Sequence, residues 1–254
     1  MTKTDSILTV SKLKKVYDGK PVVNGVSFNV KPGEIFGILG PNGAGKTTTL
    51  EMIETLRPID GGKVTICGFD VATQPTQVKS VIGVQPQSPS FQDKQKLGEI
   101  IEMFAAAYGE KVNALEFLND VQLGEKVNAY AEQLSGGQRQ RLSIAAALVH
   151  SPQVFFLDEP TTGLDPQARR NLWDLIKMVR DRGVTVIMTT HYLDEAELLC
   201  DRVAIMDNGK IISLDTPKKL IQNLLKKGFK KDQAVQQANL EDVFIDLTGK
   251  ALRD

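Results

Sequence analysis

Short apolar blocks separated by turn-forming residues dominate the first third of the chain. ILTVSKL (Ile7–Leu13) and VSFNV (Val26–Val30) read as β-type runs around turn signals at Asp18-Gly19 and Asn24-Gly25, and KVTIC (Lys63–Cys67) is a third. These runs predict a small antiparallel sheet. Ile35–Leu39 is a different block, five residues without a charge, and reads as a buried strand leading into a glycine-rich loop and a helix-prone run from Thr47 to Thr55. VIGVQPQSPSF begins like a strand, and Pro86 and Pro89 stop regular structure near Gln87. From about Leu97 to His150 the pattern turns helical, with Ile100, Ile101, Phe104 and Ala107 at helical spacing, a repeat of that spacing in NALEFLNDVQL, and glycines at 109 and 124 as punctuation. Strand-like runs return at Val154–Leu157 and Val184–Met188, and a final strand pair flanks the turn at Asp207–Gly209. The expected class is α/β: an α/β core with an antiparallel β subdomain and an inserted helical subdomain at about 92–150, all within 1–215, followed by a helical tail over 216–254.

Composition narrows the possibilities. The chain has 254 residues, 41% of them hydrophobic, which is enough for an ample core. Lys plus Arg and Asp plus Glu each number 31, so the zero formal charge gives no overall drive toward nucleic acid or an anionic bilayer. No apolar stretch approaches the roughly 20 residues of a spanning helix, and MTKTDSILTV lacks the form of a signal peptide, so the chain is expected to stay in the cytoplasm. Cys67 and Cys200 lack metal-binding spacing and read as reduced packing residues, with no structural metal expected. In the amphipathic segment KKLIQNLLKKGFKK, Lys218, Lys219, Lys226, Lys227, Lys230 and Lys231 read as a solvated helix face.

The chemistry centres on EIFGILGPNGAGKTTTLEMIET, Glu34 to Thr55. Gly40, Gly43 and Gly45 lack a Cβ, so the chain between strand and helix can bring successive N–H groups close to phosphate oxygens. Lys46 stands where its charge and the helix dipole favour the same anion, and the Thr47 hydroxyl is offered to Mg²⁺. The match to GxxxxGK[ST] is complete. Leu134-Ser135-Gly136-Gly137-Gln138 forms a second anion site, because Ser135 is a good N-cap and the glycines leave the first helical N–H groups open. One nucleotide does not need two such cradles in one chain. VFFLDEP (Val154–Pro160) delivers two carboxylates at the end of an apolar strand: Asp158 to order Mg²⁺ through its water shell, and Glu159 to orient or deprotonate the attacking water. His191 emerges after the next strand, where its imidazole could meet a phosphate or that water, although a lone His there is usually structural. His150 reads as a favourable helix-end charge or a packing residue. Tyr17, before the first turn, could stack on a base; taken alone, a half-buried Tyr at a strand end is the favoured reading.

The order of these motifs resembles the ATP-binding cassette of ABC transporters over Leu8 to Asp215, which adds a P-loop NTPase core with a mostly parallel sheet to the expected fold. Gly40, Pro41, Asn42, Gly43, Ala44, Gly45, Lys46, Thr47 and Thr48 resemble the Walker A motif, Gln87 the Q-loop glutamine, and Leu134 to Gln138 the signature. Val154 to Glu159 resembles Walker B with its catalytic glutamate, Gly163-Leu164-Asp165 the D-loop, His191 the switch histidine and Tyr17 the A-loop aromatic. Pro86 before Gln87 and Gly163 in place of the commoner Ala are small departures that remove no catalytic group. HYLDEAE (from His191) and LEDVFIDLTGKALRD (from Leu240) resemble the ATPase subunits of ABC-2 type exporters, including bacterial drug-resistance ATPases. The resemblance implies ATP and Mg²⁺ as ligands. Thr47, Gln87 and Asp158 would lie at the metal, and Lys46, Gln87, Glu159 and His191 at the reaction. It also implies two copies, or a copy and a related ATPase, packed head to tail, so that Ser135, Gly136, Gly137, Gln138 and Asp165 of one face the nucleotide of the other. The further partner is a polytopic membrane permease subunit, docked near the loop after Gln87 and holding the chain at the cytoplasmic side of the membrane, with no nucleic acid involved. A soluble ABC ATPase acting on DNA or the ribosome is the rival; the single cassette, the absence of sustained heptads and the lack of net basic charge oppose it. An importer ATPase, or one serving lipid or polysaccharide export, is a further alternative, and the tail argues mildly against import.

Overall fold

The computed structural model describes residues 6–92, 94–229 and 240–248. Lys230 and Lys231 of the predicted basic face lie outside them. Two sheets organise the rest. β1 (Leu8–Tyr17), β2 (Lys20–Val30), β4 (Gly61–Ile66) and β5 (Phe69–Asp70) form an antiparallel sheet in the order β2-β1-β4-β5. The second sheet runs β10-β9-β3-β8-β7-β6, built from β3 (Ile35–Leu39), β6 (Ile82–Gln85), β7 (Val154–Asp158), β8 (Thr185–Thr190), β9 (Arg202–Asp207) and β10 (Lys210–Asp215), with only β10 antiparallel to its neighbour. This is the α/β class expected from the sequence.

Asp18 and Gly19, both at positive φ, close the β1–β2 hairpin as a two-residue turn whose twist matches the strands. Asn24-Gly25 does not form the second turn that its composition predicts. It lies inside β2, where the register steps from Leu13↔Val26 to Lys14↔Asn24 and leaves Gly25 (φ 77°) as the extra residue of a bulge. The dipeptide supplies the same positive φ in either role, and pairing with β1 chooses between them.

The inner strands β3, β7 and β8 are buried along their whole length, and successive side chains alternate between two cores, whereas the edge strand β10 is partly exposed. Phe36, Ile38, Phe156, Ile187 and Met206 face the antiparallel sheet, α1 (Lys46–Ile53) and α2 (Pro75–Val81). The stacked rings of Phe28 and Phe36, 5.0 Å apart, tie the two sheets together. Leu39, Phe155, Leu157, Val186, Met188 and Ile205 face the other core. That core is covered by α3 (Leu97–Ala107), α4 (Ala114–Asp120), α5 (Gly136–Ala147), α6 (Pro166–Asp181), α7 (Leu193–Leu199), α8 (Pro217–Lys226) and α9 (Leu240–Thr248).

Helices α3 to α5 lie between β6 and β7 in the chain, where the helical insertion is expected. On α3, Leu97, Ile100, Ile101 and Ala105 are buried whereas Ala107 is exposed, so the stripe follows the helix's packing against α4 and α5 rather than the simplest spacing. His150 lies beyond the end of α5. Its Nε2 is 2.9 Å from the Ile82 carbonyl and its ring stacks 3.8 Å from Tyr108, while burial lowers its pKa. It is a packing residue.

The basic segment forms α8, with Pro217, Leu220 and Leu224 buried and Lys218 and Lys219 solvated. Lys227 reaches Asp246 of α9 at 2.9 Å. Leu224 is part of the main core, so Leu224→Ala is expected to cost about 2–4 kcal/mol through lost transfer energy and the cavity left behind. Urea denaturation checks this, and an unchanged midpoint would show that α8 contributes no core packing.

Candidate functional site

Four parallel strands, β3, β8, β7 and β6, end at one edge of the sheet, where ligands bind in open α/β folds. Their loops carry Gly40–Gly45, His191, Glu159 and Gln87 respectively. These loops line a cleft of about 640 Å³ that includes Asn42, Gly43, Gly45, Lys46, Thr47 and Thr48.

The phosphate loop is held open by geometry that its sequence supplies. Gly45 caps α1 in the left-handed region at φ 98°, and a Cβ there would lie 2.6 Å from the Val22 carbonyl oxygen. A Cβ on Gly40 would come within 2.2 Å of the Met206 carbonyl oxygen on β9. No side chain caps α1, so its first N–H groups face the cleft end of the helix with the positive dipole behind them. This arrangement fits a triphosphate. Lys46 is 4% exposed; its Nζ donates to the Gly40 carbonyl at 2.9 Å and the Pro41 carbonyl at 3.2 Å, and lies 3.0 Å from Glu159 Oε1. A phosphate competes directly with Glu159 for this cation.

β7 and β8 are in register at Asp158↔Thr189, which sets the acidic part of the site. Thr189 Oγ1 donates to Asp158 Oδ1 at 2.5 Å and accepts the Glu159 amide at 3.0 Å. Thr47 Oγ1 donates to the same Asp158 oxygen at 3.3 Å. Burial raises the Asp158 pKa, while the Thr189 and Thr47 hydroxyls and Lys46 oppose that rise. A hydroxyl beside a carboxylate at a phosphate site is a hard-oxygen donor set, suited to Mg²⁺, which takes few protein ligands and shares the rest with phosphates and water. Glu159 sits at φ 45°, a conformation uncommon for a residue with a side chain, and this turns its carboxylate into the cleft. One oxygen meets Lys46; the other is 3.0 Å from His191 Nδ1 and accepts from Thr162 Oγ1 at 3.4 Å.

Thus Lys46, Thr47, Gln87, Glu159 and His191 converge on the cleft, with Asp158 bonded to its Thr47 wall. Other expected residues do not line it. Ser135 caps α5 in a box with Gln138, accepting its amide at 3.3 Å, and Ser135 and Gly136 are exposed. Gly137 packs beside Ala168 of α6. Asp165 caps α6 through the amides of Gln167 and Ala168, both at 2.9 Å. Tyr17 lies at the end of β1 with its hydroxyl 3.1 Å from Arg57 and its ring within 5.5 Å of the Lys15 ammonium.

Several contributors escaped the sequence reading. Thr162 follows Glu159 by three residues and was detectable as a hydroxyl within that loop. Gln85, fully buried, donates to Gln140 Oε1 at 2.5 Å, and Gln140 donates to the Gln87 carbonyl at 3.3 Å, so the signature helix holds the loop that presents Gln87. Glu195, also fully buried beneath the His191 loop, accepts from Trp173 Nε1 at 3.0 Å. Nothing in either local sequence marks these two pairings.

Known proteins share this chain's sequence pattern and fold. Residues 23–162 match the family model described as ABC transporter. The linearmycin resistance ATP-binding protein of Bacillus subtilis is 40% identical over 223 residues, covering 86% of this chain and 72% of that protein. A Nod factor export ATP-binding protein I of Burkholderia pseudomallei is 41% identical over 216 residues, covering 83% and 71%. The solved structure of an ATP-binding subunit of an ABC transporter superposes with a TM-score of 0.82 at 27% identity, covering 96% of this chain and all of that one.

Proposed function

The chain belongs to the ABC transporter family as an ATP-binding, ATP-hydrolysing subunit of the exporter type, and from that premise we propose that ATP and Mg²⁺ drive it into a head-to-tail dimer that powers a separate membrane subunit. The observation that carries the dimer is a division within one chain. The phosphate loop, Glu159 and His191 share a cleft, while the exposed, Ser135-capped start of α5 stands outside it. A second copy supplies the missing face: Ser135, Gly136, Gly137, Gln138 and Asp165 of one chain meet the nucleotide held by the other. Phosphate contacts made by both chains exist only in the closed state, which gives ATP the differential affinity needed to shift the population.

Within each site, the Gly43–Thr48 amides and Lys46 hold the phosphates. Thr47, Asp158 and Gln87 would hold Mg²⁺, which would neutralise phosphate charge there. Glu159 orients a water and takes its proton as the terminal phosphoryl group leaves ADP; His191 fixes the Glu159 carboxylate and contacts the transferred group. Residues 1–215 serve as the ATP-binding domain, with the helical subdomain at about 92–150, and 216–254 as an appended tail. Among the described residues no helix is long and apolar enough to cross a membrane. We place the protein at the cytoplasmic side of the membrane, held there by a polytopic permease that docks at the loop after Gln87.

The test is the solution mass of Glu159→Gln protein with and without ATP and Mg²⁺. A shift to twice the monomer mass only with nucleotide supports the shared site; a monomer under both conditions would oppose self-pairing of this chain. Tyr17 offers a second check. If its ring stacks on adenine, Tyr17→Ala weakens ATP binding by about tenfold, within the 1–3 kcal/mol typical of base stacking, and leaves pyrophosphate binding unchanged in calorimetry. Equal loss for both ligands would remove Tyr17 from the base site.

A further inference from the structure

One buried acid has no part in the reaction as described above. Glu195, on α7, is 0% exposed, and the other buried residues of that helix, Ala196 and Leu199, belong to the apolar core. A leucine would fill the same space without the cost of taking a carboxyl out of water. Packing alone does not account for an acid here; its surroundings do.

Three segments of the site meet at this carboxyl. Its Oε1 accepts from Trp173 Nε1 of α6 at 3.0 Å. Arg169, one turn earlier on α6, places its guanidinium 4.3 Å over the ring of Tyr192, so α6 holds the segment after His191 at two points. Thr190, the last residue of β8, immediately precedes His191; its Oγ1 accepts the Tyr192 amide at 2.9 Å, which leaves the hydroxyl hydrogen to donate. Thr161, fully buried, follows Glu159 by two residues. Burial raises the Glu195 pKa, and the Thr190, Trp173 and Thr161 donors oppose that rise. Glu195 Oε2 and Thr161 Oγ1 are both shut off from solvent without a well-formed hydrogen bond among the described residues. A donor and an acceptor in this state are costly, and each offers what the other lacks.

We infer that Glu195 is a positioning residue for ATP hydrolysis: its buried carboxyl ties the loop behind Glu159 to the strand end behind His191, and Trp173 seats that tie on α6. The inference rests on the proposed roles of Glu159 and His191 and adds what aligns them. Glu159 Oε2 and His191 Nδ1 are 3.0 Å apart on two separate loops, and Glu159 holds an uncommon φ of 45°. The pairing of β7 with β8 fixes their spacing only as far as Asp158↔Thr189. Beyond that last pair, Thr161 and Thr190 are the flanking residues that one carboxyl serves together. Displacement of reacting groups by about 1 Å can cost about a hundredfold in rate, so a tie at this point bears directly on turnover.

The experiment measures steady-state ATP hydrolysis by the full chain. Glu195→Leu is expected to lower kcat at least tenfold with KM for ATP within twofold of the parent, since Glu195 does not line the nucleotide cleft. Glu195→Gln keeps an acceptor for Trp173 and a hydrogen-bonding group for Thr161, and is expected to bring kcat back to within threefold. Trp173→Phe removes only the indole donor, from a position outside the cleft, and is expected to lower kcat at least threefold at unchanged KM. In Glu195→Leu, the melting transition and the emission of Trp173, the only tryptophan of the chain, check that α6 stays packed. Parental kcat in a folded Glu195→Leu chain would overturn the inference and leave Glu195 a packing residue. Equal loss of kcat and ATP affinity that Gln does not relieve would also overturn it, as would parental kcat in Trp173→Phe. A Glu195→Leu chain that does not fold leaves the decision to Trp173→Phe. Glu159→Gln, assayed alongside, keeps the premise separate: parental turnover there removes the role of Glu159, and this inference falls with it.

Discussion

Replacing Glu159 with Gln is expected to lower ATP turnover by about 10²–10⁴-fold, the range associated with loss of a positioned general base. It should leave nucleotide binding intact or tighter. In the free chain Glu159 occupies Lys46 at 3.0 Å, accepts from Thr162 and is 3.0 Å from His191. An amide of the same shape can keep part of that hydrogen bonding, but it cannot take a proton from water, and it no longer competes electrostatically with a phosphate for Lys46. Turnover measured at saturating ATP, alongside a binding isotherm, separates the two effects. Turnover within threefold of the parent would remove Glu159 from the chemistry. Equal collapse of binding and turnover would mean that the loop had rearranged.

Lys46→Ala is expected to act on the other side of the same pair, and its largest effect falls on binding. ATP affinity should drop at least a hundredfold, or about 2.8 kcal/mol at 1.4 kcal/mol per factor of ten, with hydrolysis falling below detection. A second consequence follows from burial. Lys46 and Glu159 are 4% and 7% exposed, so deleting the ammonium leaves a nearly buried carboxylate without its cation. Breaking such a pair costs about 3 kcal/mol of stability. The double variant Lys46→Ala/Glu159→Gln is therefore expected to recover part of the lost melting temperature while binding ATP no better than Lys46→Ala. Full recovery of binding in the double variant would show that the cation matters only as a partner for Glu159.

Most of the site's parts were legible because each is contiguous. A strand, a glycine turn and a helix start within Ile35–Thr48 make a phosphate loop without help from distant residues, and an apolar run ending in Asp158-Glu159 announces its own place at a sheet edge. The fold class followed for the same reason, since apolar runs of about five residues and helical stripes carry their period locally. The sequence misled where one local signal serves two structures. Asn24-Gly25 can turn a hairpin or bulge a strand, and pairing with Leu13 and Lys14 of β1 made it a bulge. Pro75–Val81 is too short for its helical period to stand out against the strand-like VIGV that overlaps it.

By itself the sequence determined the motifs, their order and the chemistry available to each side chain, because those depend on residue identity and near-neighbour geometry. Tertiary structure decided which groups meet. The register Asp158↔Thr189 joins residues 31 apart, Thr47 reaches Asp158 across 111 positions, and Gln85 finds Gln140 across 55. It also decided burial: Glu54, an ordinary acid in the sequence, is 5% exposed at the end of α1, where burial, with Asp158 and Glu51 nearby, raises its pKa to about 8. Such pairings are fixed by sheet order and by the seating of helices on the sheet. Those are set by burial summed over the whole core, a quantity that no short stretch of the chain carries.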